Sequence, residues 1–140
     1  NLSEGVAADT SASLTTVSSD QTAFSSITVI GGGASDTLTT GLGDDTIDGR
    51  AGNDTLTGSG GNDTFIFIDG SGDDTVTDFV AGAGTDDKLD ITAFGFATFA
   101  DVISAASQTG SDTLIQLDAD DSVTLLGVSL GDLVAFDLLL

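Results

Sequence analysis

Between Gly31 and Thr77 the chain repeats every nine residues. Gly31–Thr39 reads GGGASDTLT, Thr40–Asp48 TGLGDDTID, Gly49–Thr57 GRAGNDTLT and Gly58–Ile66 GSGGNDTFI. After a two-residue slip at Phe67-Ile68, Asp69–Thr77 gives DGSGDDTVT. Position six is always Asp (Asp36, Asp45, Asp54, Asp63, Asp74), and position seven is always Thr. Position eight is always apolar: Leu38, Ile47, Leu56, Phe65, Val76. A fixed period outranks local propensity, because each unit must solve the same packing problem as its neighbours.

The period divides into two kinds of chemistry. Positions one to six are turn residues, where glycine permits positive φ and close backbone approach, and Asn53 and Asn62 tolerate left-handed conformations. Positions seven to nine make a strand of three residues whose middle side chain points inward. Two nonamers then complete one coil with two short parallel strands on opposite sides, and the position-eight residues stack into an apolar spine. No unit buries its face alone, so stability comes from neighbours and end caps. Ala23–Ile30 (AFSSITVI) reads as a lead-in strand, β-branched and bounded by Gly31-Gly32-Gly33, with Val29 one period before Leu38.

Charge sets the next constraint. The 140 residues hold 22 Asp and one Glu against one Lys and one Arg, a net charge of −21. That charge repels nucleic acid and anionic membrane surfaces, and it opposes compaction. Neither nucleic-acid binding nor membrane insertion is expected. Yet 39% of the residues are apolar and in register, which separates the chain from an acidic disordered tail. Turns on the same side of the coil stack about 4.8 Å apart. Asp36 therefore faces Asp54 and then Asp74, while Asp45 faces Asp63. Carboxylates so placed call for a bridging cation.

Calcium suits the pattern, because it takes six to eight oxygen ligands in flexible geometry, backbone carbonyls included. Magnesium demands stricter octahedral geometry. Softer transition metals find no His or Cys in this chain. The same absences exclude thiolate nucleophiles, imidazole bases and disulfides, leaving metal ions as the available staple. No apolar run reaches transmembrane length and no signal peptide with a basic start is present. The chain begins at Asn1 and lacks Met, so a processed or excerpted chain, with more protein before it, is expected.

These nonamers resemble the G-G-x-G-x-D-x-U-x repeats of repeats-in-toxin (RTX, haemolysin-type) proteins. The resemblance implies an all-β fold, a parallel β-roll (two-strand β-helix) around several calcium ions, with a small α+β C-terminal cap. It implies ligands from the side chains of Asp36, Asp45, Asp54, Asp63 and Asp74. Turn positions Gly31, Gly33, Gly43, Gly49, Gly52, Asn53, Gly61, Asn62 and Gly72 would supply carbonyls, and Asp78 and Asp87 would complete the last sites. Departures from the pattern are Thr40 and Asp69 at the first glycine, Arg50 and Ser59 at the second, and Ala34 at the fourth. Ala34 strains the pattern most, if that turn position needs positive φ.

Three regions result: an arm and lead-in strand over residues 1–30, the roll over 31–91, and a cap over 92–140. Asn1 to Gln21 reads as a linker or loosely ordered arm, with strand character only at Ser13–Ser18 (SLTTVS). In the cap, Thr98-x-x-Asp101 reads as a helix N-cap with Phe99, Val102, Ile103 and Ala106 on one face, and Gly110 as that helix's stop. Thr113–Leu117 and Ser122–Leu126, joined by Asp118–Asp121, read as a β-hairpin. Ser129-x-x-Asp132 marks a short final helix. The terminus Asp137-Leu138-Leu139-Leu140 resembles the uncleaved signals read by type I exporters, which implies secretion to the exterior or cell surface of a Gram-negative bacterium.

The functional expectation is a non-catalytic, secreted calcium-binding roll that folds after type I export and serves as a structural surface-layer, matrix or fibre component. The Thr/Ala/Gly-rich composition resembles calcium-dependent surface-layer proteins, and exposed strand edges allow self-assembly into a lattice or filament. The alternative is the C-terminal export and folding module of a larger secreted protease or lipase. Paired carboxylates could in principle hydrolyse glycosides, but these line stacked turns rather than a cleft.

Overall fold

A computed structural model describes residues 26–84 and 87–140, together with the backbone of Val6–Ala7. The expected strand at Ser13–Ser18 and the start of the lead-in strand, residues 23–25, lie outside the described residues.

The nine-residue period becomes a two-sheet coil. Strands β1 (Val6–Ala7), β2 (Thr28–Ile30), β4 (Thr46–Asp48), β6 (Thr64–Ile66) and β8 (Lys88–Asp90) lie in one sheet. Strands β3 (Thr37–Thr39), β5 (Thr55–Thr57) and β7 (Asp73–Val76) begin the other. All neighbours in the roll pair in parallel, Thr28 to Thr46 to Thr64 on one side and Thr37 to Thr55 to Thr75 on the other. The Phe67-Ile68 slip and the irregular stretch before β8 are absorbed in turns, so Phe65 still pairs with Leu89 and Leu56 with Val76. Phe67 turns inward and is buried, whereas Ile68 is exposed. Burial of the spine favours this outcome, because a one-residue strand slip would reverse every inward side chain.

The spine is dry. Val29, Leu38, Ile47, Leu56, Phe65, Val76 and Leu89 are each 0% exposed. At about 1.5–3 kcal/mol for each fully buried side chain of this size, these seven supply much of the folding drive. Phe65 and Phe79 meet as a tilted aromatic pair with centroids 6.2 Å apart.

The cap continues both sheets. Helix α1 (Phe99–Ser104) starts at a Thr98–Asp101 capping box, as its sequence requires. It ends at Ser104, not at Gly110. Residues Ala106–Thr109 form β9, antiparallel to β10 (Asp112–Gln116), and Gly110 opens the two-residue turn between them at φ +65°. Pairing along β10 outcompetes the extra helical turn, and Ala106 reaches the core from a strand. β10 pairs with β11 (Ser122–Leu125), and β11 adds in parallel to β7. Leu130–Asp132 is a single 3-10 turn without a side-chain cap from Ser129, shorter than a helix. After a second such turn, Ala135–Asp137, strand β12 (Leu138–Leu139) adds in parallel to β8. Among the described residues no helix is long and apolar enough to cross a membrane.

Candidate metal centre

The turns preceding the two sheets place their aspartates in two columns, one along each rim. Asp36, Asp54 and Asp74 form the first column; Asp45, Asp63 and Asp87 form the second. All six side chains are buried. Backbone N–H donors reach all six carboxylates, and in Asp45 and Asp87 they reach both oxygens. Along the first column, the Asp36 N–H donates to Asp54 Oδ1 (2.7 Å) and the Asp54 N–H to Asp74 Oδ1 (2.8 Å). Along the second, the N–H groups of Ile27, Asp45 and Asp63 donate to Oδ1 of Asp45, Asp63 and Asp87, each at 2.9 Å. In three of them the second oxygen folds back and accepts from its own turn: Gly32 N–H donates to Asp36 Oδ2, Gly41 N–H to Asp45 Oδ2 and Val80 N–H to Asp87 Oδ2.

This fold-back accounts for glycine at position one. A Cβ on Gly49 would collide with Asp54 Oδ2, and one on Gly58 with Asp63 Oδ2. Position four has a different reason. Gly43, Gly52 and Gly61 have φ of 126°, 127° and 128°. A Cβ on Gly52 would sit 2.6 Å from the Ala34 carbonyl, and one on Gly61 would strike the Gly43 carbonyl. Ala34 itself does not take positive φ. Among the described residues the non-glycine positions that do are Arg50 (68°) and Ser59 (72°), both at position two.

Asn53 and Asn62, which tolerate left-handed conformations, do not adopt them. Position five instead builds an outer ladder running opposite to the aspartate columns. The Asn53 N–H donates to Ser35 Oγ, the Asp73 N–H to Asn53 Oδ1 and the Asn62 N–H to Asp44 Oδ1. Its signal in the sequence was a small polar residue at position five in every unit. Thr40, which replaces the first glycine of its unit, is buried and donates to the Gly58 carbonyl.

Asp78 stands outside both columns. Its carboxylate accepts from the Gly58 and Ser59 N–H groups, at 3.0 and 2.7 Å, and so cradles positions one and two of the turn one coil earlier. Gly31 and Gly33 lie in the first turn of the first column, whose stack continues through Gly49, Gly52, Asn53 and Gly72. Gly43, Gly61 and Asn62 lie in the second. Sequence reasoning missed a further acidic group where roll meets cap, in which the carboxylates of Asp69, Asp118 and Asp121 lie within 4.8 Å of one another.

The columns are electrostatically costly without a counter-ion. Burial, reinforced by neighbouring carboxylates and only partly offset by backbone donors, raises Asp54 to about 6 and Asp63 and Asp74 to about 7. The neighbours are Asp36 and Asp48 for Asp54, Asp87, Asp45 and Asp78 for Asp63, and Asp54 and Asp121 for Asp74. Asp54 Oδ2 is buried with no hydrogen-bond partner. A buried, unpartnered carboxylate oxygen costs several kcal/mol as an anion and is usually found on a cation. The donors within reach are all hard oxygens, which suits calcium.

Residues 30–65 match the family model of the RTX calcium-binding nonapeptide repeat, in four copies. These are RTX repeats. Calcium is the ion such repeats bind, in agreement with the all-oxygen donor set. Among solved structures, the extracellular lipase LipA of Serratia marcescens superposes on 97% of this chain with a TM-score of 0.72 and 23% sequence identity. The likeness is one of fold: a parallel β-roll. The chain spans only 20% of that lipase's length. No curated protein matches the chain.

Proposed function

We propose that this RTX chain is a non-catalytic, calcium-triggered folding module of an exported protein. In it, Asp36, Asp54 and Asp74 on one rim, and Asp45, Asp63 and Asp87 on the other, hold calcium together with turn carbonyls. The observation that carries this reading is Asp54 Oδ2, a buried oxygen left without a partner inside a column of carboxylates. Bound calcium supplies the positive charge that these side chains lack. The chain's own part is to gather the oxygens, through glycine turns that let successive coils approach.

The switch follows from charge. Where calcium is scarce, a net charge of −21 and buried carboxylates oppose folding, which keeps the chain extended. Extracellular modules of this chemistry bind calcium at roughly 10⁻⁴–10⁻³ M, so external calcium stabilises the native state by mass action. A type I exporter would read Asp137–Leu140 before folding, because in the roll Leu138 and Leu139 form β12 and Asp137 is buried. Circular dichroism tests the switch. Calcium should raise the β-sheet signal and excess chelator should remove most of it; an unchanged spectrum in chelator would sink the reading.

What the folded module serves has two readings. A structural surface-layer, matrix or fibre role rests on composition. Attachment to a larger exported enzyme is favoured by the overlay on one fifth of a secreted lipase. Mass spectrometry of the native secreted species separates them: about 13.8 kDa supports the first, a much longer His-containing chain the second.

A further inference from the structure

Each aspartate column ends at the cap, and each end is met by one buried cap carboxylate that belongs to no repeat. Asp121 is 1% exposed; its Oδ1 accepts from Gly72 N–H (2.6 Å) and its Oδ2 from Gly70 N–H (2.8 Å). Both glycines lie in the turn that carries Asp74, the last aspartate of the first column. Asp137 is 0% exposed; its Oδ1 accepts from Gly82 N–H (3.0 Å) and its Oδ2 from Val134 N–H (2.7 Å). Gly82 lies in the turn that carries Asp87, the last aspartate of the second column. Each acid immediately precedes a strand that docks on the last roll strand of its own sheet: β11 on β7 and β12 on β8.

The two contacts are far apart in sequence, 49 and 51 residues for Asp121 and 55 for Asp137, so they form only when the cap has docked. Inside the roll, an end turn has no further coil to fix its amides. A full negative charge that takes those amides does the fixing, and hydrogen bonds to an ionised acceptor are the strong kind. Asp121 is also close enough to Asp74 to be felt by it electrostatically.

We propose that Asp121 and Asp137 are positioning residues for the terminal calcium turns, each serving one column: Asp121 shapes the Asp74 turn and Asp137 the Asp87 turn. This rests on the calcium reading given above. The consequence is that calcium affinity on the two rims is tuned separately, by two acids in the cap that need not touch an ion.

The test is a calcium chloride titration of the full chain followed by amide NMR, which reads each rim by its own resonances. In Asp121→Asn, the midpoints at Gly52, Asp54 and Asp74 should rise about tenfold, the scale of losing a bond to a charged acceptor, with those at Gly61, Asp63 and Asp87 shifting far less. Asp137→Asn should give the mirror image. An equal shift on both rims, or none on either, overturns the proposal and leaves calcium binding intact. Should either variant stay unfolded in saturating calcium, hydrogen exchange on the unsubstituted chain decides. Gly70 and Gly72 should then gain protection together with Asp54 and Asp74, and Gly82 with Asp63 and Asp87. A single common midpoint overturns the proposal. Failure of the calcium reading is a separate result, seen as no calcium response at any of these amides in the unsubstituted chain.

Discussion

The backbone N–H of Asp36 donates to the side chain of Asp54, 2.7 Å away and 18 residues later. One carboxylate thus closes the turn below it while its other oxygen, Asp54 Oδ2, stays buried and unpartnered. The same side chain is a structural acceptor and, in the proposed calcium reading, a metal ligand. Asp54→Ala removes both functions. The calcium midpoint for folding should rise by at least about tenfold, since a lost bond to a charged group is worth about 1.5–3 kcal/mol before any metal contact is counted. Asp132→Ala, at an exposed cap position, should leave the midpoint within about twofold. Circular dichroism against calcium concentration measures both.

Glycine at position four is constrained twice, by φ and by space, and the two effects can be separated. Gly61→Ala forces a side chain to φ +128° and into the Gly43 carbonyl. Gly110→Ala meets the left-handed penalty alone, at φ +65° with no atom within 4 Å. The second should cost about 1 kcal/mol, and the first at least twice that. Thermal unfolding in saturating calcium compares them. Equal losses would mean that coil-to-coil contact at Gly61 is softer than the geometry implies.

Phe65 is 0% exposed, sits mid-spine between Ile47 and Leu89, and meets the Phe79 ring. Phe65→Ala should cost about 3–5 kcal/mol, because coils stacked on both sides cannot collapse into the void. Phe136→Ala, a 61% exposed ring against the Lys88 ammonium, should cost about 1 kcal/mol or less. Denaturant unfolding with calcium held constant checks the pair.

The roll was legible because one period fixed turn, strand and core at once. Leu38, Ile47, Leu56, Phe65 and Val76 had to face inward wherever the coil closed, and the facing of Asp36 on Asp54 and of Asp45 on Asp63 follows from the same count. Asp87 was found as a neighbour of the roll, yet its place in the second column depends on how the stretch after Asp78 loops. A loop of that length leaves no periodic trace. The cap was read less well for a related reason. Residues Ala106–Thr109 suit a helix locally, and only the partner strand β10 makes them extended. Asp121 read as a hairpin-loop acid and Asp137 as the acid of the export-signal terminus. Their burial comes from contacts across some fifty residues, which no local pattern announces.

Acid should act in opposite directions with and without calcium. Asp54 is raised to about 6 and Asp63 and Asp74 to about 7 in the metal-free fold, from 3.8. Between about pH 4 and 7 the folded chain therefore binds more protons at these sites than the unfolded chain. Stability of the metal-free roll must fall as pH rises through that window. In chelator, lowering the pH from 8 to 5 should recover part of the β-sheet signal, since protons neutralise the columns in place of the ion. With calcium present, protons compete for the same oxygens, so the calcium midpoint should rise as pH drops below about 7. A midpoint that is flat from pH 8 to 5 would mean that the buried aspartates are not where calcium acts.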